Sequence, residues 1–147
     1  MKRILAAVDG SERALKALEF ATRLAGETKA GLTILTVTQE MPISDRALRE
    51  YAKAEHLAAA WGDLSEARAT EILSAAEAHI PAGGPRVQPE WRVGDPAAEI
   101  LRFAKEAAVD AIVIGHAGHS RLVGVLLGSV ALKVVTHASC PVVVVPD

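Results

Sequence analysis

Several things are scarce in this chain. It has one cysteine in 147 residues, so no internal disulfide is available and a reducing compartment is expected. Aromatic residues make up 3% of the sequence: two tryptophans, one tyrosine and two phenylalanines. An aliphatic core follows, because half of the residues are hydrophobic. Basic residues are in no excess: 16 Lys and Arg face 18 Asp and Glu, a formal charge of −2. Without a basic cluster, nucleic acid is not expected as a partner, since that binding relies on cations neutralising phosphates. No apolar run reaches the roughly 18 residues a membrane span needs. The start, Met1-Lys2-Arg3, leads into a strand pattern with no signal-peptide core, so a cytoplasmic location is expected. Neither Gly-x-x-x-x-Gly-Lys-Ser/Thr nor Gly-x-Gly-x-x-Gly occurs, which argues against a Walker-type nucleotidase and a Rossmann dehydrogenase.

What is present centres on residues 110–145. The apolar run Ala111 to Ile114 stops at Gly115. Gly118, Gly124 and the pair Gly128-Ser129 follow, then a helical pattern to about His137 and a second apolar run, Val142 to Val145. Strand, glycine loop, helix, strand is the pattern of a βαβ unit. Glycine lets a backbone approach a ligand closely, and a helix N-terminus offers unpaired N–H groups and partial positive charge to a phosphate. Ser129 has the chemistry of an N-cap. From spacing alone two readings stand level: a phosphate cradle, or a tight turn followed by an ordinary capped helix.

The rest of the chain alternates in the same way. Residues 3–8 form an apolar strand ending at Asp9-Gly10. Ala14, Leu15, Leu18, Ala21, Leu24 and Ala25 then recur at helical spacing, capped by Ser11 or Asp9. A strand is expected over Gly31 to Thr38. Residues 44–80 are rich in helix formers, with Ser44 or Asp45 as a cap and Gly62-Asp63 as a break that leaves either two helices or one with a weak point. After the Pro81–Pro85 loop, a strand is expected over Arg86 to Val93, weakened by Pro89. Asp95-Pro96 opens a helix to about Ala108. The Trp61 and Trp91 rings are expected to serve packing. Five strands alternating with helices, joined by right-handed crossovers, predict a single α/β domain over residues 1–147, with a mostly parallel sheet and helices on both faces.

The blocks together resemble the universal stress protein family. Gly115-x-x-Gly118, nine residues, then Gly128-Ser129 is similar to that family's nucleotide-binding signature. Ile4 to Ser11 resembles its first strand and turn, Val93-Gly94-Asp95-Pro96 with Ile100 its segment before the third helix, and His137-Ala138-Ser139-Cys140-Pro141 with four valines its ending. The resemblance implies a Rossmann-like, adenine-nucleotide alpha hydrolase-like fold with strand order 3-2-1-4-5. It implies ATP, with Mg²⁺, held by Gly115, Gly118, Gly128, Ser129 and Val130. Asp9 would meet the adenosine part or a phosphate-bound metal, although it also suits a plain helix cap. The main chain of Val37 would pair with an adenine edge, and Ala7 and Val8 would line the same wall. A homodimer through strand 142–145 is implied too. Binding and stress-response regulation, not catalysis, is the implied activity. The alternative is a member that binds no ATP and works through dimerisation and protein partners.

Two departures matter. Members often place arginine before the second loop glycine, where Ala117 stands here. His116 and His119 flank it, and Arg121 is a substitute cation. Ala131 stands where a hydroxyl is often found. His116-x-x-His119 with no obvious third ligand predicts no metal site of its own. Cys140, just before Pro141, reads as a structural thiol.

Overall fold

The computed structural model describes residues 1–40, 52–116 and 127–147. Five strands and four helices alternate: β1 (Arg3–Ala7), α1 (Glu12–Thr28), β2 (Gly31–Thr38), α2 (Ala52–Ala78), β3 (Val87–Val93), α3 (Pro96–Glu106), β4 (Ala111–Gly115), α4 (Ser129–His137) and β5 (Val142–Val145). The sheet order is β3-β2-β1-β4-β5 and every pairing is parallel. The expected order 3-2-1-4-5 and α/β class are therefore observed.

The sheet is covered on both faces because strand side chains alternate. Ile4, Ala6, Val8, Leu32, Ile34 and Val113 pack against α1 and α2. Leu5, Leu35, Ile112 and Ile114 pack against α3 and α4. On α1 the contact stripe is Ala14, Ala17, Leu18, Ala21 and Ala25, all buried. Alanine on that stripe brings the helix close to the sheet, so an aliphatic core can be dense without aromatic rings.

The caps follow local chemistry. Ser11 caps α1, its Oγ accepting from Ala14 N at 3.2 Å. Asp95 caps α3, accepting from Ala98 N at 2.9 Å, with Pro96 in the first turn. At α4 the expected cap is corrected. Ser129 is the first helical residue and Gly128 is the N-cap, with no side-chain cap bond. Gly62-Asp63 does not break α2, which runs unbroken from residue 52 to 78. The good helix formers on both sides outweigh one glycine, which costs about 1 kcal/mol. The expected Ser44 or Asp45 cap lies outside the described residues.

Pro89 sits in β3 without costing a rung. β3 is an edge strand, and its even-numbered residues face β2, as Leu32 N to Arg86 O and Gly94 N to Thr38 O show. Pro89 turns its missing N–H outward. The two indoles do more than pack: Trp91 Nε1 donates to Thr38 Oγ1 at 2.8 Å, and Trp61 Nε1 donates to Gln39 O at 3.2 Å. Both clamp the C-terminal end of β2.

Candidate functional site

Strand order alone creates a cleft. β1 sits between β2 and β4, and the chain reverses its direction of travel across the sheet there. In open α/β sheets the crevice beyond the C-terminal strand ends at that switch is the natural ligand position. A cleft of about 150 Å³ lies there, lined by Ala7, Val8, Asp9, Leu35, Val37, Ile100, Ile114, Gly115, Val130 and Ala131, with Ser11, Arg13, Ala14 and Pro96 at its margin. Residues from both ends of the sequence meet in it.

Of the residues singled out in the sequence, Ala7, Val8, Asp9, Val37, Gly115 and Val130 line this cleft. Gly128 and Ser129 stand at the start of α4, directly before Val130. His116 follows β4, its N–H donating to Val145 O at 2.9 Å. Gly118 and His119 lie outside the described residues, as do Ala117 and Arg121.

Val37 presents a main-chain edge. The odd-numbered residues of β2 face β1, and the last rung between the two strands is Val8 N to Leu35 O at 2.9 Å. β1 then leaves the sheet, so the N–H and C=O of Val37 point to the same side with no strand partner among the described residues. A donor and an acceptor one residue wide can read a ring edge that carries the complementary pair.

Asp9 is exposed and oriented. Its Oδ1 accepts from Ser11 N at 2.9 Å, which fixes the carboxylate over the turn and leaves Oδ2 for another donor. Gly10 makes this turn with φ of +86°, a conformation that side chains resist. Gly115 is needed for a different reason. A Cβ there would stand 2.9 Å from Arg13 O and 3.1 Å from Arg13 C. The first turn of α1 therefore packs directly on the end of β4.

The start of α4 is capped by a glycine, which has no side chain to offer its donors. Leu132 N to Gly128 O at 2.9 Å is the first helical bond. Gly128, as the N-cap, gives the N–H groups before that bond no side-chain acceptor, and no other is seen among the described residues. Such a terminus is positively polarised. Among the described residues no group of three or more His, Cys, Asp or Glu gathers to hold a metal ion. No helix among them is long and apolar enough to cross a membrane.

Two other hollows adjoin the sheet. One of about 410 Å³ lies around the end of β2 against α2, sharing Asp9, Val37 and Pro96 with the cleft. Another of about 920 Å³ lies at the opposite end of the strands, beside Lys2, Lys29 and Arg86. Cations there sit near the C-terminal ends of α1 and α3, where the helix dipole favours them.

A family model described as the universal stress protein family matches residues 1–146. A universal stress protein of Bacillus subtilis is 35% identical over 144 residues, covering 97% of each chain. Among solved structures, a universal stress protein from Archaeoglobus fulgidus in complex with dAMP is 25% identical, with a TM-score of 0.69 over 98% of this chain and 96% of that one. A universal stress protein in complex with cAMP is also 25% identical, with a TM-score of 0.71 over 99% and 96%.

Proposed function

The chain belongs to the universal stress protein family, and we propose that it is a single-domain protein that binds ATP in the cleft between β1, β2 and β4. The observation that carries this reading is the convergence of three recognition elements: the Val37 edge, which has no strand partner among the described residues, the Asp9 carboxylate, and the start of α4, whose glycine cap has no side chain. The purine would lie against Ala7, Val8 and Val37 and pair with the Val37 main chain. Asp9 Oδ2 would accept from a ribose hydroxyl or face a phosphate-bound Mg²⁺. At about 150 Å³ the cleft is smaller than the several hundred Å³ usual for a whole ligand. The triphosphate would therefore run outside it, over the loop after Gly115 and onto the N–H groups at Gly128, Ser129 and Val130, with His116, Gly118 and His119 alongside. Backbone donors read phosphate generically. That two relatives were solved with dAMP and cAMP supports an adenine nucleotide.

The role that fits is a nucleotide-dependent cytoplasmic regulator acting as a homodimer through β5, with binding rather than turnover as the signal. A second reading, a partner-binding member that holds no ATP, is favoured by one observation. Ala131 lines the cleft without the hydroxyl that would serve a phosphate.

One experiment separates them. Freshly purified protein is denatured and any released nucleotide identified, and the emptied protein is titrated with Mg-ATP by calorimetry. Close to one ATP per chain, or saturable binding, supports the first reading. An empty protein that ignores millimolar ATP supports the second. Turnover above about 1 s⁻¹, an ordinary enzyme rate, would overturn both.

A further inference from the structure

Arg13 is a cation at the cleft that the family signature does not point to. It is the second residue of α1, its carbonyl packs on Gly115, and it borders the cleft beside Ser11 and Val130. Its Nε stands 3.2 Å from Oδ1 of Asp147, two residues beyond β5. The two side chains are 28% and 47% exposed, and pairs this wet hold weakly. The tail that carries Asp147 leaves β5 at Val145, whose carbonyl accepts from His116 N. The first turn of α1, the start of the loop after β4 and the tail after β5 therefore meet at one corner of the cleft.

We infer that Arg13 is a phosphate-binding arginine of this chain, and that Asp147 occupies it until a nucleotide arrives. The inference rests on the nucleotide reading above. A guanidinium takes carboxylate and phosphate oxygens with the same fork of donors, so a group already paired with a carboxylate is placed to take a phosphate. A polyphosphate carries more charge than one carboxylate and displaces it. The exchange also removes a negative charge from the corner where the phosphates would lie. Arg13 thereby supplies from α1 the cation that Ala117 does not supply from the loop. Displacement releases Asp147 from α1, so nucleotide occupancy is reported at the end of β5.

The test is calorimetric titration of the wild-type chain, Arg13→Ala and Asp147→Asn with Mg-ATP and with adenosine. Arg13→Ala should weaken ATP by about tenfold or more, the worth of a charge-assisted bond, while adenosine affinity stays within about twofold. Asp147→Asn should strengthen ATP by about two- to fivefold, the worth of an exposed ion pair removed from competition. Unchanged ATP affinity in Arg13→Ala, or equal losses for ATP and adenosine, overturns the role of Arg13. If Arg13→Ala no longer melts cooperatively, Asp147→Asn decides alone, and no gain for ATP overturns the exchange. A wild-type chain that binds neither ligand overturns the nucleotide reading itself, and this inference with it.

Discussion

The carbonyl oxygen of Arg13 stands 2.9 Å from where a Cβ on Gly115 would be. That single approach joins the first turn of α1 to the end of β4 and sets the width of the cleft between them. Replacing Gly115 with alanine must push the two apart. Overpacking of this kind costs about 1–3 kcal/mol. We expect Gly115→Ala to lower the melting temperature by about 2–4 °C per kcal/mol lost, for a chain of this size. It should also weaken any ligand of the cleft. Gly26, inside α1, has nothing within 4 Å of its would-be Cβ. Gly26→Ala should therefore move stability the other way, by up to about 1 kcal/mol. Thermal melts of the two variants check the contrast, and equal effects would contradict it.

Asp110 ties the start of β1 to the strand beside it. Its Oδ2 accepts from Lys2 N at 2.6 Å and Arg3 N at 2.8 Å. These two bonds, the one from Lys2 first, hold its carboxyl below the ordinary value of 3.8. A carboxyl with a depressed folded value contributes stability above its unfolded value and loses it as pH falls through the folded one. Asp110→Asn removes the charge but keeps the shape. The variant should melt below the wild-type chain at pH 5 to 7, and the gap should close as pH falls below about 4. Melting curves across that range decide; a gap that stays constant to pH 2 would show the bonds do not depend on the charge.

The lone thiol is expected to be slow. Burial first, and the charge of Asp110 second, raise the Cys140 thiol above its ordinary value of 9.0. Less thiolate means less nucleophile at a given pH. Iodoacetamide at pH 8 should alkylate Cys140 more slowly than it alkylates glutathione, and unfolding the chain should remove the difference. Equal rates in the folded protein would mean that Cys140 is reactive after all.

Much of the fold is readable because each local signal agrees with the global one. Asp95-Pro96 and Ser11 open helices where the sequence places them. β1 and β4, at the centre of the sheet, are aliphatic runs that end near Asp or Gly, and both their faces are buried, as a covered parallel sheet requires. Strand order is not a property of periodicity, and only the family resemblance suggests it. What escapes the sequence depends on contacts between distant residues. Nothing local marks Arg13, because its meaning comes from Gly115 and Asp147. The Val37 edge is implied by the resemblance alone, and its physical reason is visible only once β1 is seen to stop at Ala7 while β2 runs on to Thr38. The cap at Gly128 is missed because Ser129 has the better side chain, yet the helix starts one residue earlier in register than that choice implies. Pro89 looks like a strand breaker until β3 proves to be an edge whose odd residues face outward.

β5 supplies the last prediction. It is the edge opposite β3, and Val142 to Val145 are all half-buried. Ile112 N bonds to Pro141 O and His116 N to Val145 O, so the odd-numbered residues of β5 face β4. Val142 and Val144 therefore turn their N–H and C=O groups away from the sheet. Among the described residues these groups have no partner; an apolar edge of that kind invites a second strand, and the same edge of another copy closes it symmetrically. Proline at position 144 would remove one outward donor without removing a rung to β4. If the homodimer forms through this edge, sedimentation should find the wild-type chain dimeric. Val144→Pro should then be monomeric, with a melt that is still cooperative. A Val144→Pro chain that stays dimeric would place the contact elsewhere on the molecule. A wild-type chain that is monomeric at every concentration tested would leave the edge to be covered within the chain itself.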